Sequence, residues 1–388
     1  MPRQKRKAPD DDSTAPFRRP PSIRRSSRLA ARGGTQTMAA PMGRQLSGMS
    51  TDMEEESDKD REAEAMERVH NYDYKEKENV VNCLLSCAKW FPEAGKMSLV
   101  RDILRADSDK MLYAVYRNFY TALFVPMKAA SRQPSVDPSP VPKRQQNAEL
   151  VASTIDKLQT RIASFPENVF KRDDYRCVVS GDVDSKYHQQ MGLPEDVRDI
   201  KLNGAHIIPF SYGSWKEKGV PENVASIWEM LYRCFPGVRR ACLTVDTINS
   251  PENGLTMNVL LHAAFGEFRV AFKETDIKHQ YEIKTYGHTT YYERQMIPTD
   301  RLVTFTQAEG HKDIPLPDPA LLNCHYRVAE ILHATGLAEV IDRDYDRWNE
   351  LRHAPSGAQL QEDGSTDLTH YLDAAFWWAV TPTSPTAA

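Results

Sequence analysis

The chain has no Cys-x-x-Cys pair, and its six cysteines stand apart at 83, 87, 177, 234, 242 and 324. That spacing argues against a dense disulfide framework and a ribbon-type zinc site, and predicts free thiols in a reducing compartment. No stretch approaches the roughly 18 consecutive apolar residues that a membrane span requires, and no apolar signal core follows the basic N-terminus. A soluble, non-secreted protein with no membrane partner is the expectation. Gly-x-Ser-x-Gly, the Walker phosphate loop and Gly-x-Gly-x-x-Gly are all missing, which argues against a serine hydrolase, an NTPase and a dinucleotide enzyme. Asp182 and Asp184 lack the Gly and Glu of a calcium loop after them, so they read as a turn.

What is present is charge laid down in blocks. Over 388 residues, 50 Lys+Arg nearly balance 54 Asp+Glu, a net charge of −4, and a chain of this length builds one large domain or two ordinary ones. Residues 1–34 carry ten Lys/Arg against three Asp, with Pro and Ser between them and almost nothing to bury. The pattern predicts disorder, and clusters such as Lys5-Arg6-Lys7 read as a nuclear-import signal or a nucleic-acid-binding arm. Residues 52–67 reverse the sign, with nine Asp/Glu against Lys59 and Arg61, and could run as a solvated helix. A flexible arm, basic and then acidic, is expected over 1–64.

From 65 to 127 apolar residues recur at three- and four-residue spacing, among them Val80, Leu84, Ile103, Leu112, Val115, Phe119 and Leu123. This predicts a small helical region, broken near Pro92 and Gly95 and restarted by an N-cap in Asp107-Ser108-Asp109. Cys83 and Cys87 share one helix face and read as core. Four prolines between 129 and 147 predict a linker over 128–147. A main domain is expected over 148–350, then a C-terminal helix and flexible tail over 351–388.

The chemistry-bearing residues lie between Tyr175 and Phe268. An apolar strand pattern, GAHIIPF, carries His206; a later segment, ENGLTMNVLLHAAFGEF, opens at Asn253 and carries His262 nine residues on. Leu255, Met257 or Asn258, Leu261 and Phe265 would keep one apolar helix face, with His262 at its edge. Two imidazoles and an amide around one cation suit phosphodiester hydrolysis. A neutral imidazole can take a proton from water near pH 7, while the cation stabilises the charged phosphorane. His206 is the candidate base and His262 the candidate metal ligand; Asn253 either ligates or fixes the loop that orients His206.

The order His206, Asn253, His262, with AHIIPF around the first and Cys177-x-x-Ser180-Gly181 upstream, resembles the HNH endonuclease domain in the form found in many uncharacterised fungal proteins. The segment PDPALLNCHYRVAEILHATG at 317–336 is also similar to the stretch C-terminal to the nuclease core in those proteins. The resemblance implies an α+β, ββα-metal fold holding one divalent cation (Mg, Mn or Zn) and acting on nucleic acid, DNA ahead of RNA. It places the family's general base at His206, its middle Asn at Asn253 and its terminal metal-binding His at His262. Ala205 stands where many members carry Asp, Glu or His, and Gly266 where relatives carry Asp; Glu267 is the candidate substitute. Residues 161–290 hold 16 Lys/Arg against 17 Asp/Glu, with no basic excess for phosphate. Lys171, Arg172, Arg176, Arg239 and Arg240, with Arg233, are the candidate nucleic-acid contacts. The alternative reading is a degraded HNH scaffold that serves as a nucleic-acid- or protein-binding regulatory module.

Around this core, 224–235 predicts a helix, and EFRVAFKE, QYEIKTYG and RLVTFTQ alternate as strands. PDPALLNCHYRVAEILHATG predicts a closing helix capped by Gly336. His279, His288, His311, His325 and His333 have no recognisable partner and read as structural.

Overall fold

The structure, a computed structural model, describes residues 58–128, 136–155, 159–160, 162–213, 222–287 and 289–353. The basic arm, the acidic residues before 58, part of the Pro-rich stretch, His288 and the tail after 353 lie outside these. The chain begins with α1 (58–70), α2 (Lys77–Trp90), α3 (Glu93–Leu104) and α4 (Asp109–Phe119), which runs through a π turn at Tyr120–Phe124 into α5 (Val125–Lys128). Next come α6 (Pro142–Ala152), α7 (Ser164–Arg172), β1 (Val183–Asp184), α8 (Ser185–Met191), β2 (Asp199–Ile200) and β3 (Leu202–His206). The second half holds α9 (Glu222–Cys234), α10 (Pro236–Arg240), β4 (Gly254–Asn258), α11 (Val259–Gly266), β5 (Val270–Glu274), β6 (Gln280–Thr285), α12 (Tyr291–Met296), β7 (Leu302–Thr304), α13 (Pro319–Thr335) and α14 (Leu337–His353).

Local chemistry sets the boundaries. Ser108 caps α4 by accepting from the Met111 amide, and Gly336 ends α13 in the left-handed region at φ 70°, as the sequence predicts. The three alternating segments form the antiparallel sheet β5-β6-β7. Gly95 does not break the helical pattern. It sits inside α3, where an added Cβ would collide with the Cys234 carbonyl, so its lack of a side chain lets α3 lie against α9.

The expected boundary at the Pro-rich stretch is not a break in the core. Leu84, Leu99, Phe119, Trp228, Leu231 and Val328 belong to one buried cluster that runs from α1 to α14. Pro142 starts a helix, α6, that packs on α9 rather than continuing a linker. Buried charge joins the same parts. Asp102 accepts from Arg233 Nη1 at 2.6 Å and from Arg144 Nη2 at 3.0 Å, and so ties α3 to α9 and α6. Removing one member of such a network leaves a buried charge unpaired. Five cysteines are buried as free thiols and Cys242 is exposed; burial pushes the Cys234 thiol up to about 12.

Three elements frame the chemistry. β3 pairs antiparallel with β4 in the register His206↔Gly254 and Leu202↔Asn258. Residues 255–258, read from the sequence as the start of a helix, are strand. Asn258 ends that strand and caps the next helix, its Oδ1 accepting from the Leu260 and Leu261 amides at 3.1 and 2.9 Å. Because β4 passes into α11 without a loop, His262 falls one turn into the helix and faces the hairpin.

Candidate active site

Strand alternation sorts the side chains of the hairpin. Leu202, Gly204 and His206 share one face with Thr256 and Gly254, and α7 packs there. A Cβ at Gly204 would come within 2.9 Å of Pro166 Cα, and one at Gly254 within 2.6 Å of Val169 Cγ1. Two glycines therefore admit α7 and bring Phe165 flat against His206, ring centroids 3.9 Å apart. The opposite face carries Asn203 and Ala205. Asn203, one pleat before the position where many HNH domains hold a ligand, meets His262: its Nδ2 lies 3.1 Å from the His262 Nδ1.

His206 Nε2 lies 3.2 Å from Asn249 Oδ1. The Asn249 amide is oriented by its other end, since Nδ2 donates to the Thr160 carbonyl at 3.1 Å. Oδ1 therefore accepts from His206, which assigns the proton to Nε2 and makes Nδ1 the basic nitrogen. Sequence reasoning missed Asn249 and Asn203, because nothing in their spacing separates them from other surface asparagines.

Asn253 stands at the turn into β4, beside the chain that follows His206. It is fully buried, and its Oδ1 accepts from the Ile208 amide at 2.8 Å while Nδ2 donates to the carbonyls of Ile208 and Ile248, each at 3.0 Å. Its own carbonyl accepts from Ile207. The amide thus clamps the chain directly after His206. Glu267 is exposed and paired with Arg269 Nε at 2.7 Å, and it does not line the cavity on which the two histidines open.

His206 and His262 share the wall of that cavity, of about 90 Å³, with Gly204, Phe210, Phe265 and His325. Met127, from α5, also lines it, so the N-terminal helices contribute to the site. Among the described residues no group of three or more His, Cys, Asp or Glu is placed to hold a metal. The donors at hand are the two imidazoles and the Asn203 amide. By kind they fit a borderline ion such as Zn²⁺ better than Mg²⁺, which takes oxygen ligands.

The candidate nucleic-acid contacts separate. Arg172 is fully buried, donating to both Asp173 carboxylate oxygens and to the carbonyls of Pro251, Gly254 and Pro315. It is a structural staple between α7 and β4 and cannot reach a ligand. Arg233 is buried against Asp102 and Glu229. Lys171 pairs with Glu167 at 2.6 Å, and Arg176 is exposed beside Asp174. Arg239 and Arg240 are exposed on α10.

No curated protein and no solved structure matches the chain. Residues 177–273, which include β3, β4, α11 and both histidines, match the family model of the HNH endonuclease.

Proposed function

We propose that this chain is a metal-dependent endonuclease that hydrolyses phosphodiester bonds of nucleic acid, with His206 as general base and His262 as metal ligand. The observation that carries the reading is that His206 and His262, 56 positions apart in sequence, both line one cavity, and both lie within the segment that matches the HNH model. A bound cation would stabilise charge on the phosphate and on the departing oxygen.

The chain's own residues supply the rest. Asn249 holds the His206 Nε2 proton, so Nδ1 takes the proton from the attacking water. Phe165 fixes the ring plane by stacking, and Asn253 fixes the backbone at 207–208. Asn203 sits against the His262 imidazole, and an amide oxygen that accepts the Nδ1 proton would leave Nε2 to the cation. The basic segment 1–34 provides the attraction to phosphate and the route to the nucleus. Because a side chain that orients a working imidazole is worth about 10- to 100-fold, Asn249→Ala should lower single-turnover cleavage of a labelled duplex by that factor while leaving substrate binding unchanged. Equal rates for the variant and the parent would remove Asn249 from the mechanism.

One observation favours a second reading. Among the described residues no third His, Cys, Asp or Glu is placed to hold a metal together with His206 and His262, as in a scaffold that binds nucleic acid without cutting it. Tight binding of a duplex with no cleavage under any divalent cation is the expected behaviour of that scaffold.

A further inference from the structure

The third histidine of the cavity wall, His325, lies on α13, well outside the segment that matches the HNH model. Its ring is 2% exposed and is sandwiched between Phe265 and Phe268, with centroids 3.8 and 4.3 Å away. Nε2 lies 3.1 Å from the Phe265 carbonyl, in the last turn of α11, three residues beyond His262. Nδ1 is buried with no hydrogen-bond partner. A phenyl ring would fill this stack equally well without burying an unpaired acceptor, which costs about 1–3 kcal/mol. What the imidazole adds is the one N–H aimed at the end of α11.

The same helix and its N-cap hold the ends of the β4–α11 segment at two further points. The Asp318 amide donates to the Glu252 carbonyl, next to Asn253, at 3.0 Å. His333 Nε2 lies 2.9 Å from the Phe268 carbonyl, and its ring stacks on Tyr286. Asp318, His325 and His333 are spaced by seven and eight residues, so one face of α13 reaches the turn before β4 and the C-terminal end of α11.

We propose that His325 is a positioning residue for His262: through the Phe265 carbonyl it sets the pitch of α11 and so the place of the metal-binding imidazole in the cavity. This rests on the reading of His262 as a metal ligand. The test uses the full chain and three variants, His325→Phe, which keeps the stack and loses the donor, His325→Gln, which restores an N–H, and His262→Ala. Two quantities are read: Zn²⁺ affinity by calorimetry, and the ring ¹⁵N shifts of His262 by NMR. The expected result is a His325→Phe variant whose Zn²⁺ affinity falls at least about 10-fold and whose His262 shifts move, with His325→Gln recovering both. Parental affinity and unmoved His262 shifts in His325→Phe would overturn the proposal; should that variant not fold, His325→Gln is judged instead, and His262 shifts unlike the parent's would then count against the rescue and the proposal. If His262→Ala leaves Zn²⁺ binding unchanged, the metal-site reading is what fails, and the His262 ring shifts alone decide on His325.

Discussion

A histidine serves as a base only when one ring nitrogen is held and the other is left basic, and the roles of single residues here follow from such pairings. Asn249 provides one for His206. His325 shows the same logic turned to structure. Complete burial pulls its imidazole down to about 3, so the folded protein keeps it neutral where the unfolded chain, with an ordinary value of about 6.5, binds a proton. The group therefore has no effect on stability above about pH 6.5. Below that the unfolded state takes up the proton and stability falls, by up to about 1.4 kcal/mol per pH unit, until the folded ring itself titrates near 3. Urea unfolding from pH 7 to pH 4 should show this slope, and His325→Phe should flatten it; an unchanged slope in the variant would contradict the assignment.

At the scale of elements, the hairpin and its helix are legible in the residues that carry them. The His206 strand, the helix over 224–235, the three alternating strands and the Gly336 cap all follow from period and punctuation. The start of α11 does not, because 255–258 combines helix-compatible apolar spacing with a strand's pairing to β3, and periodicity cannot see the partner. Arg172 misleads for a related reason: a basic residue near a motif looks like a phosphate contact until its carbonyl partners, 79 to 143 positions away, come together. The glycines of the hairpin make a testable point. Gly204→Ala places a methyl within 2.9 Å of the Pro166 backbone, so α7 must move and carry Phe165 off His206. Overpacking of this kind costs about 1–3 kcal/mol, and the variant should lose cleavage activity beyond what its lower Tm explains. Full activity at a temperature where it is folded would show that the stacking of Phe165 on His206 is dispensable.

At the scale of the whole molecule, the helices before the Pro-rich stretch and the nuclease-like segment share one core. Arg233, buried in α9, has its 2.6 Å partner in Asp102 of α3, and Phe91 packs on both Phe119 and Phe235. Residues 148–353 produced alone would expose that apolar surface and leave Arg233 without Asp102. The fragment should lack a cooperative unfolding transition, and a native-like Tm for it would show that the two parts are independent. This long-range dependence is not legible in the sequence, where four prolines signal a boundary that the buried side chains do not respect.

The central claim is that His206 and His262 together make a hydrolytic centre, and cleavage of supercoiled plasmid by the full chain tests it most directly, with Zn²⁺, Mn²⁺ and Mg²⁺ supplied in turn beside folded His206→Ala and His262→Ala variants. The account predicts metal-dependent nicking, stronger with Zn²⁺ than with Mg²⁺, that His206→Ala reduces by about 10²- to 10⁴-fold and His262→Ala removes. No nicking by the parent with any of the three ions, or equal nicking by all three proteins, would contradict it.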